Sequence, residues 1–290
     1  MRRTSLLSVL ITSSVMLAAG CAKPPESRSG EAAGAGSCEQ QGTEYPAGQS
    51  FSDTLPAGAK GPVMIAVPCG QFSMGSTERT DEQPVHPVSI ARGFAIGKYE
   101  VTFEQYDAFA EATGREKPED NGWGRGARPV INVSWDDASA FAQWLSAQTG
   151  KHYRLPSESE WEYAARAGSV TKFTWGDELG VSKETSATWA GVLTGKGSTQ
   201  PVGSFAANAF GLHDVHGNAM EWVQDCFEPD YTGAPNDGTS REQCSSKQRV
   251  LRGGSWYDYA FAMRSASRTA EQPSTSYETY GFRLARDLGR

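Results

Sequence analysis

The sequence predicts an α+β domain in which three helices and many short strands are joined by long irregular loops. Three observations carry this expectation. Capping signatures occur at Thr102 with Gln105, Ser134 with Asp137, and Ser157 with Glu160, each leading into apolar residues at helical spacing. Elsewhere the apolar runs are short and alternate with polar residues, as half-buried strands do. The 290 residues also include 32 Gly, 15 Pro and eight Trp, which suits loops pinned by aromatics better than a helical bundle. With 38% hydrophobic residues the chain can build one sizeable core.

The first twenty residues read as a targeting leader and are set apart from the fold. Arg2 and Arg3 supply positive charge, and residues 6–19 form an apolar stretch too short to span a bilayer comfortably. It ends in Leu17-Ala18-Ala19-Gly20-Cys21, small residues before a Cys, as signal peptidase II requires. We therefore expect a lipid anchor on Cys21; the alternative is an ordinary signal peptide with an incidental Cys. Ala22 is not the Asp that retains lipoproteins in the inner membrane, so the expected location is the cell envelope, at the outer membrane facing the periplasm. Residues 21–60, rich in Gly, Ser, Ala, Pro and Glu, read as a flexible tether, and residues 61–290 as the folded domain.

Along that domain, residues 62–74 alternate around Pro68-Cys69-Gly70 and are expected to form a β-hairpin; residues 85–96 carry two more short strands. In the first helix Phe103, Tyr106, Phe109 and Ala110 share a face; in the second, Trp135, Ala138, Phe141, Ala142 and Leu145 do; in the third, Trp161, Ala164 and Ala165 turn inward. Beyond Gly168 the pattern breaks into short strands and loops, and no internal repeat is present. A formal charge of -7 argues against a nucleic-acid partner. In an oxidising compartment the four cysteines besides Cys21 allow three pairings. We favour Cys226–Cys244, closing a Gly/Pro/Asp-rich loop, and Cys38–Cys69, tying tether to domain; a free thiol is the alternative. No spacing suggests zinc.

Several segments are diagnostic together: Gly70-Gln71-Phe72-Ser73-Met74-Gly75, Tyr99-Glu100-Val101-Thr102, Arg154-Leu155-Pro156-Ser157-Glu158-Ser159-Glu160-Trp161-Glu162, Gly217-Asn218-Ala219-Met220-Glu221-Trp222, Arg252-Gly253-Gly254-Ser255-Trp256 and Gly281-Phe282-Arg283. In this order, from about Gly61 to Asp287, the chain resembles the formylglycine-generating (sulfatase-modifying factor) family, with its pyoverdine-maturation and ergothioneine-synthase relatives. The resemblance implies a single, loop-rich domain loosely like C-type lectins. Within it Arg154, Arg166, Arg268 and Arg283 are expected to be hydrogen-bonding struts, since a guanidinium offers five donors.

Active members hold copper(I) on a Cys pair shortly after Gly-Gly-Ser, and soft thiolates are what that ion prefers. Here Asp258 stands at the first of those positions, and no Cys follows Cys244. Copper is therefore not expected, and neither is iron, because His86, His152, His213 and His216 lack the spacing of a triad. The resemblance places a groove around Ser255, Trp256, Asp258, Tyr259, Arg264 and Met220, the last replacing the family's usual Trp. Asp258 there is a shifted-pKa base, a recogniser of a cationic group, or an exposed loop carboxylate. The resemblance also implies a structural calcium held by Asp214 and Glu221 side chains and Gly217 and Ala219 carbonyls, the oxygen set a hard cation needs. A second calcium is doubtful, with Thr188 where Asn is expected. The expected role is a binding or accessory module for a protein, peptide or glycan. The alternative is an oxygen-dependent oxidoreductase using a different site.

Overall fold

The computed structural model describes residues 44–178 and 197–289. The leader, Cys21, Cys38 and Thr188 lie outside the described residues.

The three helices begin where the capping signatures place them. Helix α1 (Phe103–Thr113) opens on Thr102, whose hydroxyl accepts the Gln105 N–H while the Gln105 side chain accepts the Thr102 N–H. Helix α2 (Trp135–Thr149) has the same reciprocal box between Ser134 and Asp137, and α3 (Glu158–Arg166) between Ser157 and Glu160. Each cap is worth about 1 kcal/mol because it satisfies donors that the first turn leaves orphaned. The first two helices stop on Gly114 and Gly150, both left-handed at φ near 68° and 67°. The apolar faces then meet: Phe109, Phe141 and Phe282 pack edge to face around one core, and Trp161, Ala164 and Ala165 enter a second with Ile65, Ile96 and Val223.

Strands β1 (Ser50–Phe51), β2 (Met64–Val67), β5 (Phe94–Gly97), β11 (Ala285–Asp287) and β6 (Tyr153–Arg154) form a five-stranded sheet in the order β1-β2-β5-β11-β6. A second sheet runs β10-β7-β8-β9, from β10 (Tyr280–Gly281), β7 (Met220–Cys226), β8 (Arg249–Arg252) and β9 (Arg268–Glu271). Strands β3 (Gly70–Met74) and β4 (His86–Ile90) pair with each other.

Two expectations need correction. Residues 62–74 are not a hairpin: β2 joins β1 and β5, whereas β3 joins β4. Strand β2 pairs on both edges, all four of its residues are covered on both faces, and the chain changes sheets at Pro68-Cys69. The domain also starts before Gly61. Strand β1 lies in the main sheet, the Tyr45 and Phe51 rings stack at 3.7 Å, and Asp53 accepts the Tyr153 hydroxyl at 2.6 Å. A few anchoring side chains suffice to fix a stretch whose composition is that of a linker.

Candidate functional site

The long loops around the second sheet are held by buried arginines. Arg283 donates to both oxygens of Glu221 (2.6 and 2.7 Å) and to the carbonyls of Gly97 and His213. Arg268 does the same with Glu158 (2.7 and 2.8 Å) and the carbonyls of Asp81 and Glu228. Arg166 serves Glu162 and the carbonyls of Thr171 and Gly75, and Arg154 serves Glu160 and Asp287. The four are struts. Arg252 belongs with them: it bonds Glu162 and the carbonyls of Ser265, Ala266 and Ser267.

After Arg252 the chain turns sharply through Gly253 and Gly254, both left-handed; a Cβ on Gly254 would lie 2.7 Å from the Met263 side chain. The turn delivers Ser255 into the interior. Asp258 folds back over it and accepts from the Ser255 N–H (2.9 Å) and hydroxyl (2.6 Å), so this carboxylate stitches its own loop. Burial raises the Asp258 pKa, and the bonds from Ser255 oppose the shift. Trp256 donates its indole N–H to the Glu278 carbonyl and meets Trp123 edge to face at 5.0 Å and Tyr257 at 5.4 Å. Tyr257 and Tyr259 stand out, 72% and 83% exposed. Met220 is half-buried against the first core. Tyr280 completes the aromatic wall between Trp222 and Tyr277, its pKa pushed up to about 12 by burial and then by the charges of Glu271, Tyr277 and Asp258.

Arg264 is the correction here. It was expected to line the groove, but it is buried, with its two terminal nitrogens on the Glu82 carboxylate at 2.8 and 2.6 Å. A buried carboxylate needs a partner, and the nearest guanidinium serves it.

At the expected calcium loop, Asp214 and Asn218 adopt left-handed backbone, and Gly217 has φ 129°. Asp214 accepts the Gly203 N–H on one oxygen (2.6 Å), while its other oxygen is buried with no hydrogen-bond partner. Glu221 has both oxygens on Arg283, and one also accepts the Trp161 indole N–H (2.7 Å). Glu100 was not picked out from the sequence. Both its oxygens are buried without a partner, and burial, then the charges of Asp214 and Glu221, push its pKa well up. Buried carboxylate oxygens without donors are costly unless a proton or a cation serves them, so the group fits a hard cation. Among the described residues no three His, Cys, Asp or Glu side chains converge as a complete metal cage.

The histidines are used separately. His216 donates from Nδ1 to the Met263 carbonyl and accepts the Thr174 N–H on Nε2. Its pKa is lowered to about 4 by burial. His213 donates to the Phe205 carbonyl, His86 to that of Pro84, and His152 pairs with Asp287. Cys226 and Cys244 form a disulfide with Cα atoms 5.9 Å apart. Cys69 is also disulfide-bonded; Cys38, its expected partner, lies outside the described residues.

Residues 48–288 match the family of sulfatase-modifying factor enzyme 1-like domains (FGE-sulfatase). The chain belongs to this family. The formylglycine-generating enzyme of Streptomyces coelicolor is 32% identical over 285 residues, covering 77% of this chain and 88% of that enzyme. The serine/threonine-protein kinase Pkn1 of Chlamydia trachomatis serovar L2 is 34% identical over 257 residues, covering 78% of this chain; the chain spans only 38% of that protein's length. Among solved structures, PvdO from Pseudomonas aeruginosa superposes with a TM-score of 0.77 at 35% identity, covering 84% of this chain and 100% of PvdO.

Within this sulfatase-modifying factor domain, the sequence-expected groove residues Ser255, Trp256 and Asp258 come together, and Tyr259 projects beside them into solvent. Trp123 was missed. Its signal was present: a large aromatic inside Asn121-Gly122-Trp123-Gly124, whose Asn121, Gly122 and Gly124 all adopt positive φ to present it. No helix among the described residues is long and apolar enough to cross a membrane.

Proposed function

We propose that this chain is a cell-envelope lipoprotein whose sulfatase-modifying factor domain acts as a binding or accessory module, without copper-dependent formylglycine synthesis. The observation that carries the reading is the absence of any cysteine after Cys244, with Asp258 bound back onto Ser255 at the head of the loop where the family's thiolates are expected. Cys226, Cys244 and Cys69 are all in disulfides, so none of these three is a thiolate ligand. A carboxylate is a hard donor and a poor host for copper(I). The exposed Tyr257 and Tyr259 beside Trp256 and Trp123 offer a surface on which a peptide, protein or glycan partner docks. The anchor is the lipid on Cys21, and the address is the outer membrane's periplasmic face.

The test is direct. Purified protein given copper(I), oxygen and a cysteine-bearing peptide should consume no more oxygen than copper(I) and peptide alone, and should form no aldehyde at the cysteine. Stoichiometric copper after dialysis, or an aldehyde at the peptide cysteine, overturns the reading. A second reading is an oxygen-dependent oxidoreductase of the same superfamily working through a different site. The likeness to the formylglycine-generating enzyme of Streptomyces coelicolor favours it, and oxygen uptake without copper would select it.

A calcium ion, where bound, is structural. Asp214, with the Gly217 and Ala219 carbonyls, would hold it and Glu100 would add further oxygens, while Glu221, expected as a ligand, has both oxygens taken by Arg283 and Trp161 and would stand behind the site. Support comes from the partnerless oxygens of Asp214 and Glu100. Calcium at a hundredfold its dissociation constant stabilises the fold by about 2.7 kcal/mol. EGTA should lower the melting temperature accordingly, and an unchanged melt removes the ion from the account.

A further inference from the structure

Of the five asparagines in the chain, only Asn121 precedes a glycine. Asn121 and Gly122 are the exposed tip of a tight turn, with φ 54° and 74°, and the Asp120 carbonyl closes it by accepting the Trp123 N–H at 2.9 Å. A Cβ on Gly122 would meet nothing within 4 Å, so the space around this residue is open. An asparagine side chain is attacked by the backbone nitrogen of the next residue where that nitrogen is unhindered and can shed its proton. Two groups from outside the dipeptide serve that reaction here. Asp120 Oδ1 accepts the Gly122 N–H at 3.0 Å, which puts a carboxylate in place to draw off the proton. Asn132 Nδ2, held on the Glu119 carbonyl at 2.8 Å, donates to Asn121 Oδ1 at 3.1 Å, the atom on which negative charge grows as the nitrogen adds. Asp237-Gly238 is the contrasting case. There the Asp237 carboxylate is occupied by the Thr239 N–H and hydroxyl at 3.1 and 2.6 Å, and a Cβ on Gly238 would lie 3.0 Å from the Ile90 side chain.

We propose that Asn121 is a self-modification site, converting through a cyclic imide to aspartate and isoaspartate, with Asp120 as the proton acceptor and Asn132 as the donor to the carbonyl oxygen. The Gly122 nitrogen bonds to Asn121 Cγ, the Cγ–Nδ2 bond breaks, and the proton lost from Gly122 leaves with Nδ2 as ammonia. Water then opens the ring at either carbonyl. Both products carry one more negative charge than the asparagine they replace. In isoaspartate the main chain also gains a carbon between residues 121 and 122. The turn then no longer closes between Asp120 and Trp123, and Trp123 loses its edge-to-face seat on Trp256. The modification acts on the aromatic wall whatever docks there.

The experiment ages the full chain at neutral pH beside a synthetic peptide of residues 116–126. Mass spectrometry of a digest follows loss of the amide at residue 121, and enzymatic methylation reports isoaspartate. Wild type should convert about tenfold faster than the peptide, in which neither Asp120 nor Asn132 is held in place. Asp120→Asn keeps an acceptor oxygen but not its basicity and should remove that advantage; Asn132→Asp, which turns the donor into an acceptor, should slow conversion as well. Asp120 and Asn132 are only half-buried, so the fold persists in both variants. Ageing should shift the Trp fluorescence of wild type and leave that of Asn121→Gln and Trp123→Phe unchanged. Four outcomes overturn the proposal: an Asn121 that stays intact, conversion no faster than in the peptide, Asp120→Asn as fast as wild type, or full conversion that leaves the fluorescence where it was. The second would mean that the two hydrogen bonds restrain the turn instead of promoting attack.

Discussion

Replacing Arg264 by Met tests whether this residue holds the fold or lines the groove. Its guanidinium makes two short bonds to Glu82, lies 4.2 Å over the Phe261 ring and donates to the Phe261 carbonyl. Glu82 is completely buried and, besides Arg264, accepts the Ser76 hydroxyl. Met fills most of the volume but leaves a buried carboxylate unpaired, which costs about 3–5 kcal/mol. For a domain of this size each kcal/mol moves the melting temperature by about 2–4 °C, so a fall of about 6–20 °C is expected by calorimetry. The double variant Arg264→Met with Glu82→Leu should recover most of the loss, because an apolar pair of similar volume removes the stranded charge. A single variant that melts like wild type, or a double variant no better than the single, would refute the reasoning. Intact stability with lost partner binding would return Arg264 to the groove.

Three further outcomes follow from the same geometry. His216 has its pKa depressed to about 4 by burial, so the unfolded chain binds a proton that the folded one refuses. Its contribution is intact above about pH 6.5 and falls by about 3 kcal/mol as pH drops to 4, and His216→Gln should flatten that part of a pH series of melts; an unchanged slope would mean the ring is solvated. Asp258→Ala removes the acceptor of both Ser255 bonds. It should cost about 1 kcal/mol, whereas Tyr259→Ala, being exposed, should cost almost nothing; equal melts for the two would deny Asp258 its role in the loop. Opening Cys226–Cys244 by Ser substitution at both positions frees a loop of sequence separation 18 and should destabilise by about 3 kcal/mol, read from urea midpoints.

The helices were legible because their start signals are local: Thr102, Ser134 and Ser157 each find their partner three residues on. The struts were legible as residue types but not as pairs. Arg268 meets Glu158 across 110 positions and Arg264 meets Glu82 across 182, and nothing local marks such partners. This is why Arg264 reads as a groove residue from its neighbours in the chain and as a buried clasp from its neighbours in space. Glu100 escaped notice for a similar reason. Beside Tyr99 and Val101 it looks like the polar member of a strand end, and only the fold seals it away near Asp214. The hairpin expected at residues 62–74 failed because alternation reports which face is wet, not which strand lies alongside.

The order β1-β2-β5-β11-β6 puts the last strand of the described residues inside the five-stranded sheet, between β5 and β6. Until Ala285–Asp287 arrive, Phe94–Gly97 has an open edge and Tyr153–Arg154 lacks its sheet neighbour. Arg286 on that strand also reaches back to Glu44 and Asp53. Assembly of this sheet therefore waits until Ala285–Asp287 have been made, since closing so long a stretch of chain precedes the contacts that reward it. Deleting Ala285–Asp287 should leave a collapsed, sticky intermediate rather than a slightly shorter domain.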